Sequence, residues 1–239
     1  MRTATPSSTA SAAAACAPPV VALDPGHNPV EVSGTDPVTG VAMRDYPNGA
    51  EDGDVMAVAL LVQRALTKAG YRVVLLKKSA AENIDYRRRV TRAERAGADV
   101  GVSIHTYTGD HKVFVQRVGL YREGTGADGK PLRVTFRNAA TAAKSQRYAR
   151  AVAAARSRYE NRRVVVADNN FNGRAPLWGG NIPMIALMAQ HTPWVYNEFG
   201  TATGGGSIPI GDAAIATYAR GLADGIRRAL PNKCARPSP

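Results

Sequence analysis

The chain alternates short, continuous apolar runs with stretches of helical periodicity, and that alternation limits its fold more than any other feature. VVAL at 20–23 is apolar at every position, as in a strand covered on both faces; a one-sided strand would alternate instead. After a long loop, EDGDVMAVALLVQRALTKAG carries Val55, Val58, Ala59, Val62, Ala65, Leu66 and Ala69 on one stripe and stops at Gly70. The 3.6-residue period predicts a helix that ends at a glycine. YRVVLL (71–76) reads as a second strand, YRRRVTRAERAG as a second helix closed by Gly97, and DVGVSIH as a third strand ending at His105. Strands that alternate with helices in this way predict an α/β single domain, with a mostly parallel twisted sheet flanked by helices on both faces.

The middle of the chain is less regular. KVFVQRVGLYR (112–122) and PLRVTF (131–136) flank GTGADGK, which predicts an excursion shaped like a β-hairpin. NAATAAKSQRYARAVAAARSRYE (138–160) reads as a long helix, RRVVVAD as a strand, PWVYNEFG as a further strand and DAAIATYARGLADGIRRAL (212–230) as a closing helix. There is no internal repeat and no mid-chain linker, so one domain is expected.

Charge limits the partners. The 31 Lys plus Arg against 19 Asp plus Glu give a formal net charge of +12, a balance that favours polyanions. The basic residues are scattered and no aromatic-rich binding strand accompanies them, so nucleic acid is not the expected partner. An anionic cell envelope fits. YRRRVTRAER (86–95), the densest basic cluster, is expected to be the solvated face of its helix. No apolar run approaches the roughly 20 residues needed to span a bilayer. Residues 1–19, rich in Ala, Ser, Thr and Pro, read as a flexible leader, and 232–239 as a C-terminal tail. Cys16 and Cys234 flank the folded body. They either form a disulfide joining the termini, which would imply an oxidising compartment, or remain two free thiols.

In open α/β sheets ligands gather beyond the carboxyl ends of the strands. His27 lies just past the first strand, His105 ends the third, and Glu198 stands near the end of PWVYNEFG. Glu51 joins them from the first turn of its helix, where the dipole favours a carboxylate by about 0.3–1 kcal/mol. Two imidazoles and a carboxylate suit Zn²⁺ with an open position, and a second carboxylate nearby can move protons. Taken singly, each residue has a structural reading; the reason to group them is that all four reach one edge. Asp24 serves either as a hydrogen-bond partner behind a ligand or as a turn residue before Pro25-Gly26. Gly26 lets the chain bend into His27. The loop from Asn28 to Ala50 frames the pocket, and Arg44 and Asp45 within it are both candidates to touch substrate.

VVALDPGH, a Glu opening an amphipathic helix that ends AGYRVVLL, ADVGVSIH and PWVYNEFG follow one another in this order. Together they resemble the zinc-dependent N-acetylmuramoyl-L-alanine amidases of the type 3 family, over about Val20 to Leu230. The resemblance implies a catalytic domain at 20–231 and one zinc per chain held by His27, Glu51 and His105, with Glu198 as the catalytic glutamate. It places the Arg89 to Glu94 stretch in the family's Arg-containing helix. The implied substrate is peptidoglycan or muropeptides, the implied location secreted, periplasmic or cell-wall associated, and the default state a monomer. Asn28-Pro29, Thr106-Tyr107 and Thr201-Ala202 depart from the family's usual residues around these positions, and bear on substrate preference. Two alternatives remain: a zinc peptidase acting on stem peptides, and a cell-wall-binding protein without turnover.

Overall fold

The computed structural model describes residues 16–126, 128–168, 179–180 and 183–234. From the amino end the elements are β1 (Val20–Pro25), β2 (Val32–Thr35), β3 (Ala42–Asp45), α1 (Glu51–Lys68), β4 (Arg72–Leu75), α2 (Tyr86–Arg95), β5 (Val100–Thr106) and β6 (His111–Val115). They continue with β7 (Tyr121–Thr125), β8 (Pro131–Thr135), α3 (Ala139–Glu160), β9 (Val165–Ala167), β10 (Gly179–Gly180), α4 (Met184–Met188), β11 (Trp194–Phe199) and α5 (Asp212–Ala229).

The main sheet has the order β4-β1-β5-β11-β6-β9. β4, β1, β5 and β11 are mutually parallel, while β6 runs against β11 and β9 runs with β6. β1, β5 and β11 are buried at every residue, which is why their sequences read as continuous apolar runs. Alternate residues feed two cores. Val21, Leu23, Val102, Ile104 and Val195 pack with α1, α3 and α5. Ala22, Trp194 and Tyr196 pack with α2 and α4 on the other face. The α/β domain with helices on both faces is therefore present as expected.

Local chemistry sets the element ends. Asp85 caps α2 by accepting from the Arg88 amide at 2.7 Å, and Asn138 caps α3 by accepting from Thr141 at 3.1 Å. α5 approaches α3 closely because two of its positions carry no side chain. A Cβ at Gly225 would come within 2.6 Å of Val152 Cα, and one at Gly221 within 3.0 Å of Arg156 Cα.

Two expectations shift. Only the end of the 112–122 run, Tyr121 and Arg122, belongs to the hairpin with 131–136. Val113, Phe114 and Val115 are buried on both faces and belong to the main sheet as β6, and the hairpin is β7–β8, Tyr121–Thr125 with Pro131–Thr135. The Asn28–Ala50 loop also has structure of its own: β2 and β3 pair antiparallel within it. Residues 169–178 and 181–182 lie outside the described residues, as do residues 1–15 of the expected leader and 235–239 of the expected tail.

Candidate metal centre

The three expected ligands come from three different segments and meet at the carboxyl edge of the sheet. β1 ends at Pro25 and the chain turns through Gly26 into His27. A Cβ at Gly26 would fall 2.1 Å from His105 Cε1, so glycine is required for the two histidines to approach. His27 itself has φ 59°, a left-handed conformation that costs a non-glycine residue of the order of 1–3 kcal/mol. Surrounding donors hold it there: its carbonyl accepts from buried Lys77 Nζ at 2.9 Å and from Arg89 Nη2 at 2.6 Å.

His27, Glu51 and His105 each offer a ligand atom, and these atoms lie within 4.8 Å of one another, all in buried residues. The imidazole rings meet edge-on with centroids 4.9 Å apart. His27 Nδ1 is 3.1 Å from the Tyr46 carbonyl, which places the ring proton on that nitrogen and turns Nε2 inward. Nε2 lies 3.1 Å from Glu51 Oε2, yet outside hydrogen-bond geometry, so this buried nitrogen has no hydrogen-bond partner. Glu51 Oε1 lies 3.0 Å from His105 Nδ1 and accepts from the Thr106 amide at 2.7 Å. Asn48 Nδ2 donates to Oε2. An inward-facing imidazole nitrogen without a hydrogen-bond partner, beside a second histidine and a carboxylate, is a donor set that fits zinc.

Charge fits as well. Burial opposes ionisation of His27, but the carboxylates of Asp45 and Glu51 outweigh it and lift the imidazole to about 10. Burial drives His105 down despite Glu51. Burial raises Glu51 too, but the two histidines more than reverse this and hold it well below the usual carboxylate range. Glu51 therefore stays ionised between the two imidazoles.

Glu198 is the register partner of His105 on the adjacent parallel strand, so the two side chains leave the same face of the sheet. It is buried, and the Tyr196 hydroxyl donates to its Oε1 at 3.4 Å. Tyr196 stacks on the His105 ring, centroids 4.4 Å apart. The cleft in front is lined by His27, His105, Tyr196, Arg44, Tyr86, Arg122 and Met184, among others.

Residues 21–200 match the sequence profile of the family described as N-acetylmuramoyl-L-alanine amidase. The chain belongs to that family. The amidase has the fold of solved relatives. The catalytic domain of CwlV from Bacillus (Paenibacillus) polymyxa var. colistinus gives a TM-score of 0.57 at 19% identity, covering 90% of this chain and 99% of that one. Ami1 from Mycobacterium smegmatis gives 0.58 at 18%, covering 90% and 98%. An N-acetylmuramoyl-L-alanine amidase from Clostridium difficile 630 gives 0.56 at 18%, covering 91% and 99%. At these identities the likeness is one of fold. No curated protein matches the chain.

Several partners of the site in the amidase were not legible in its sequence. Arg89 does not lie on a solvated helix face. It is 1% exposed, donating to Asp24 Oδ1 at 2.9 Å and to the carbonyls of Pro25 and His27, both at 2.6 Å. Its neighbour Arg88 is the solvated one, with a side chain 75% exposed. Asp24 is neither a turn residue nor bonded to a histidine. It sits in β1 between Arg89 and the Ser103 hydroxyl, which donates at 2.6 Å. Asp45 is buried behind His27, its Oδ1 3.6 Å from Nδ1, and accepts from Asn28 at 2.8 Å. Arg44 points outward to Glu31 at 2.7 Å and edges the cleft. Asn28, one of the departures from the family pattern, bonds Asp45 and the backbone of Ile84. Only the length of the loop hinted at Asp45, and nothing in the sequence marked Arg89 off from the arginines beside it.

Proposed function

We propose that this amidase uses one zinc ion held by His27, Glu51 and His105, and that Glu198 is its proton-transferring residue. The observation that carries the reading is the convergence of those three donors around a buried His27 Nε2 that no hydrogen bond satisfies. Zinc bound there would act as a Lewis acid toward the scissile carbonyl and lower the pKa of water to about 7.

The bond broken joins the lactyl carboxyl of N-acetylmuramic acid to the first L-alanine of the stem peptide in peptidoglycan. Glu198 takes the proton of the attacking water as oxygen adds to the carbonyl carbon. It then gives that proton to the departing alanine nitrogen as the C–N bond breaks. Burial and the Tyr196 hydroxyl hold the carboxylate beside His105. Tyr46 and Asp45 keep His27 oriented, and Asn48 and the Thr106 amide keep Glu51 oriented. Arg44, Tyr86 and Met184 supply cleft wall against which glycan or peptide packs.

A wall-associated setting outside the reducing cytosol accords with the Cys16–Cys234 disulfide. Among the described residues no helix is long and apolar enough to cross a membrane.

The test is zinc content and turnover of purified muropeptide. Glu198→Gln is expected to lower kcat by about 10²–10⁴-fold while keeping one zinc per chain, and His105→Ala to lose both. Full activity of Glu198→Gln would reject the proton-transfer role. New L-alanine amino termini with intact glycan identify the bond; cuts between stem residues would indicate a peptidase.

A further inference from the structure

Behind β5 and β11, on the face turned away from the cleft, lies a second buried polar cluster centred on Arg156 of α3. Its Nη2 donates to the carbonyl of Glu198 at 2.7 Å, and its Nη1 to the carbonyl of Lys112 at 2.9 Å and to Asn197 Oδ1 at 3.2 Å. Nε and Nη2 donate to the two oxygens of Glu160 at 2.5 and 3.3 Å. These contacts account for all the N–H donors a guanidinium has. Glu160 is anchored in turn by His111 Nδ1 at 2.6 Å.

An arginine serving only as a core ion pair would need Glu160 alone. Here three of its bonds go instead to the end of β11 and to Lys112, the register partner of Glu198 on β6. The guanidinium also stands over the Tyr218 ring at 4.7 Å, and the Tyr218 hydroxyl donates to the carbonyl of His105 at 3.3 Å. One cluster therefore grips the backbone of both His105 and Glu198, which face each other across β5 and β11. Asn197 Nδ2 closes the link by donating to the Ser103 carbonyl at 3.1 Å.

We propose that Arg156 is a positioning residue for the reaction: with Tyr218 behind His105, it fixes where the Glu198 carboxylate stands relative to its neighbouring metal-site histidine. This rests on the assignment of Glu198 as the proton-transferring group. Misplacement of a reacting group by about 1 Å can cost about 10²-fold in rate, and the backbone carbonyl is the lever by which a residue on the far face sets that placement.

Arg156→Lys keeps a positive charge opposite Glu160 but cannot span the acceptors, and Tyr218→Phe removes only the hydroxyl. Both are made in the zinc-loaded full chain and compared on soluble muropeptide for kcat, KM, zinc content and melting. Arg156→Lys is expected to lower kcat tenfold or more, and Tyr218→Phe by a smaller factor, each with KM and zinc stoichiometry unchanged and a cooperative melt. In a Glu198→Gln background the Arg156 replacement should cause no further fall. Unchanged kcat in both single variants, or a full multiplicative loss in the Glu198→Gln background, overturns the proposal. Should Arg156→Lys not fold, the Tyr218→Phe pair of measurements decides by the same criteria. Full activity of Glu198→Gln alone is a separate result, which removes the Glu198 assignment and with it the basis of this inference.

Discussion

His27 bears the tightest constraints of any single residue in the site: a left-handed backbone at φ 59°, a carbonyl held by two buried cations, and a ring fixed by Tyr46 and Asp45. Its imidazole is lifted to about 10, so a metal must displace a proton there, whereas His105 is shifted down and Glu51 stays ionised. Deprotonation of His27 should therefore by itself make zinc affinity rise about tenfold per pH unit below that value. Calorimetry at pH 8 in buffers of different ionisation enthalpy should show about two protons released per zinc, one from His27 and one from the zinc-bound water; with an ordinary imidazole, pKa about 6.5, only about the one from water would be released. Arg89 makes the second residue-scale case. Removing one partner of a buried ion pair costs about 3–5 kcal/mol, and Arg89 also holds the carbonyls of Pro25 and His27. Arg89→Met should lose about that much in urea unfolding and bind zinc more weakly, while Arg88→Met on the solvated side should change neither measurably.

At the scale of elements, the β2–β3 hairpin is what the loop after His27 contributes, and ion pairs fasten it to α2: Asp45 with Arg89 at 3.5 Å and a bidentate pair at Asp36. Arg87 Nε and Nη2 donate to the two oxygens of Asp36 at 2.6 and 2.8 Å, and Thr39 Oγ1 donates at 2.5 Å. Burial raises Asp36, but these donors outweigh it and hold the carboxyl below its usual range. A depressed carboxyl contributes stability above its unfolded value, about 3.9, and loses it as pH falls through the lower folded value. Arg87→Ala should thus be less stable than the parent at pH 7, by about 1.5–3 kcal/mol, and the gap should narrow toward pH 2 in denaturant titrations. The hairpin was illegible in the sequence because VSGT and AMRD are short and mostly exposed or mixed in burial, so no period stands out. β1, β5 and β11 were legible because burial on both faces leaves a continuous apolar run, and α1 because its buried stripe repeats at helical spacing. That His27, His105 and Glu198 stand at one edge was legible because sheet topology brings strand ends there, and Glu51 joins them because α1 begins at that edge. Arg89 and Arg156 were not, since a buried arginine and a solvated one differ only in what the fold places around them.

For the whole molecule, the two ends of the folded body are joined: Cys16 precedes β1, Cys234 follows α5, and the bond between them spans 218 positions of chain. Neighbouring contacts dock the same end, with Tyr71 donating to the Leu230 carbonyl at 2.6 Å and Asn232 to that of Ala69 at 3.1 Å. A crosslink over so long a loop restricts the unfolded chain strongly, and about 2–5 kcal/mol is typical of its loss. The bond lies at the amino end of β1, whereas the candidate metal centre lies past its carboxyl end, six residues on and hence roughly 20 Å away at the usual rise per residue. Stability and chemistry are therefore separable in this fold. Cys16→Ser/Cys234→Ser should unfold at lower denaturant concentration by an amount in that range, yet turn over soluble muropeptide at the parental rate at 25 °C with one zinc per chain. A parallel loss of zinc or kcat under conditions where the variant is fully folded would mean that the closed terminus is coupled to the metal edge through β1, and that the sheet transmits strain along its strands instead of isolating the two ends.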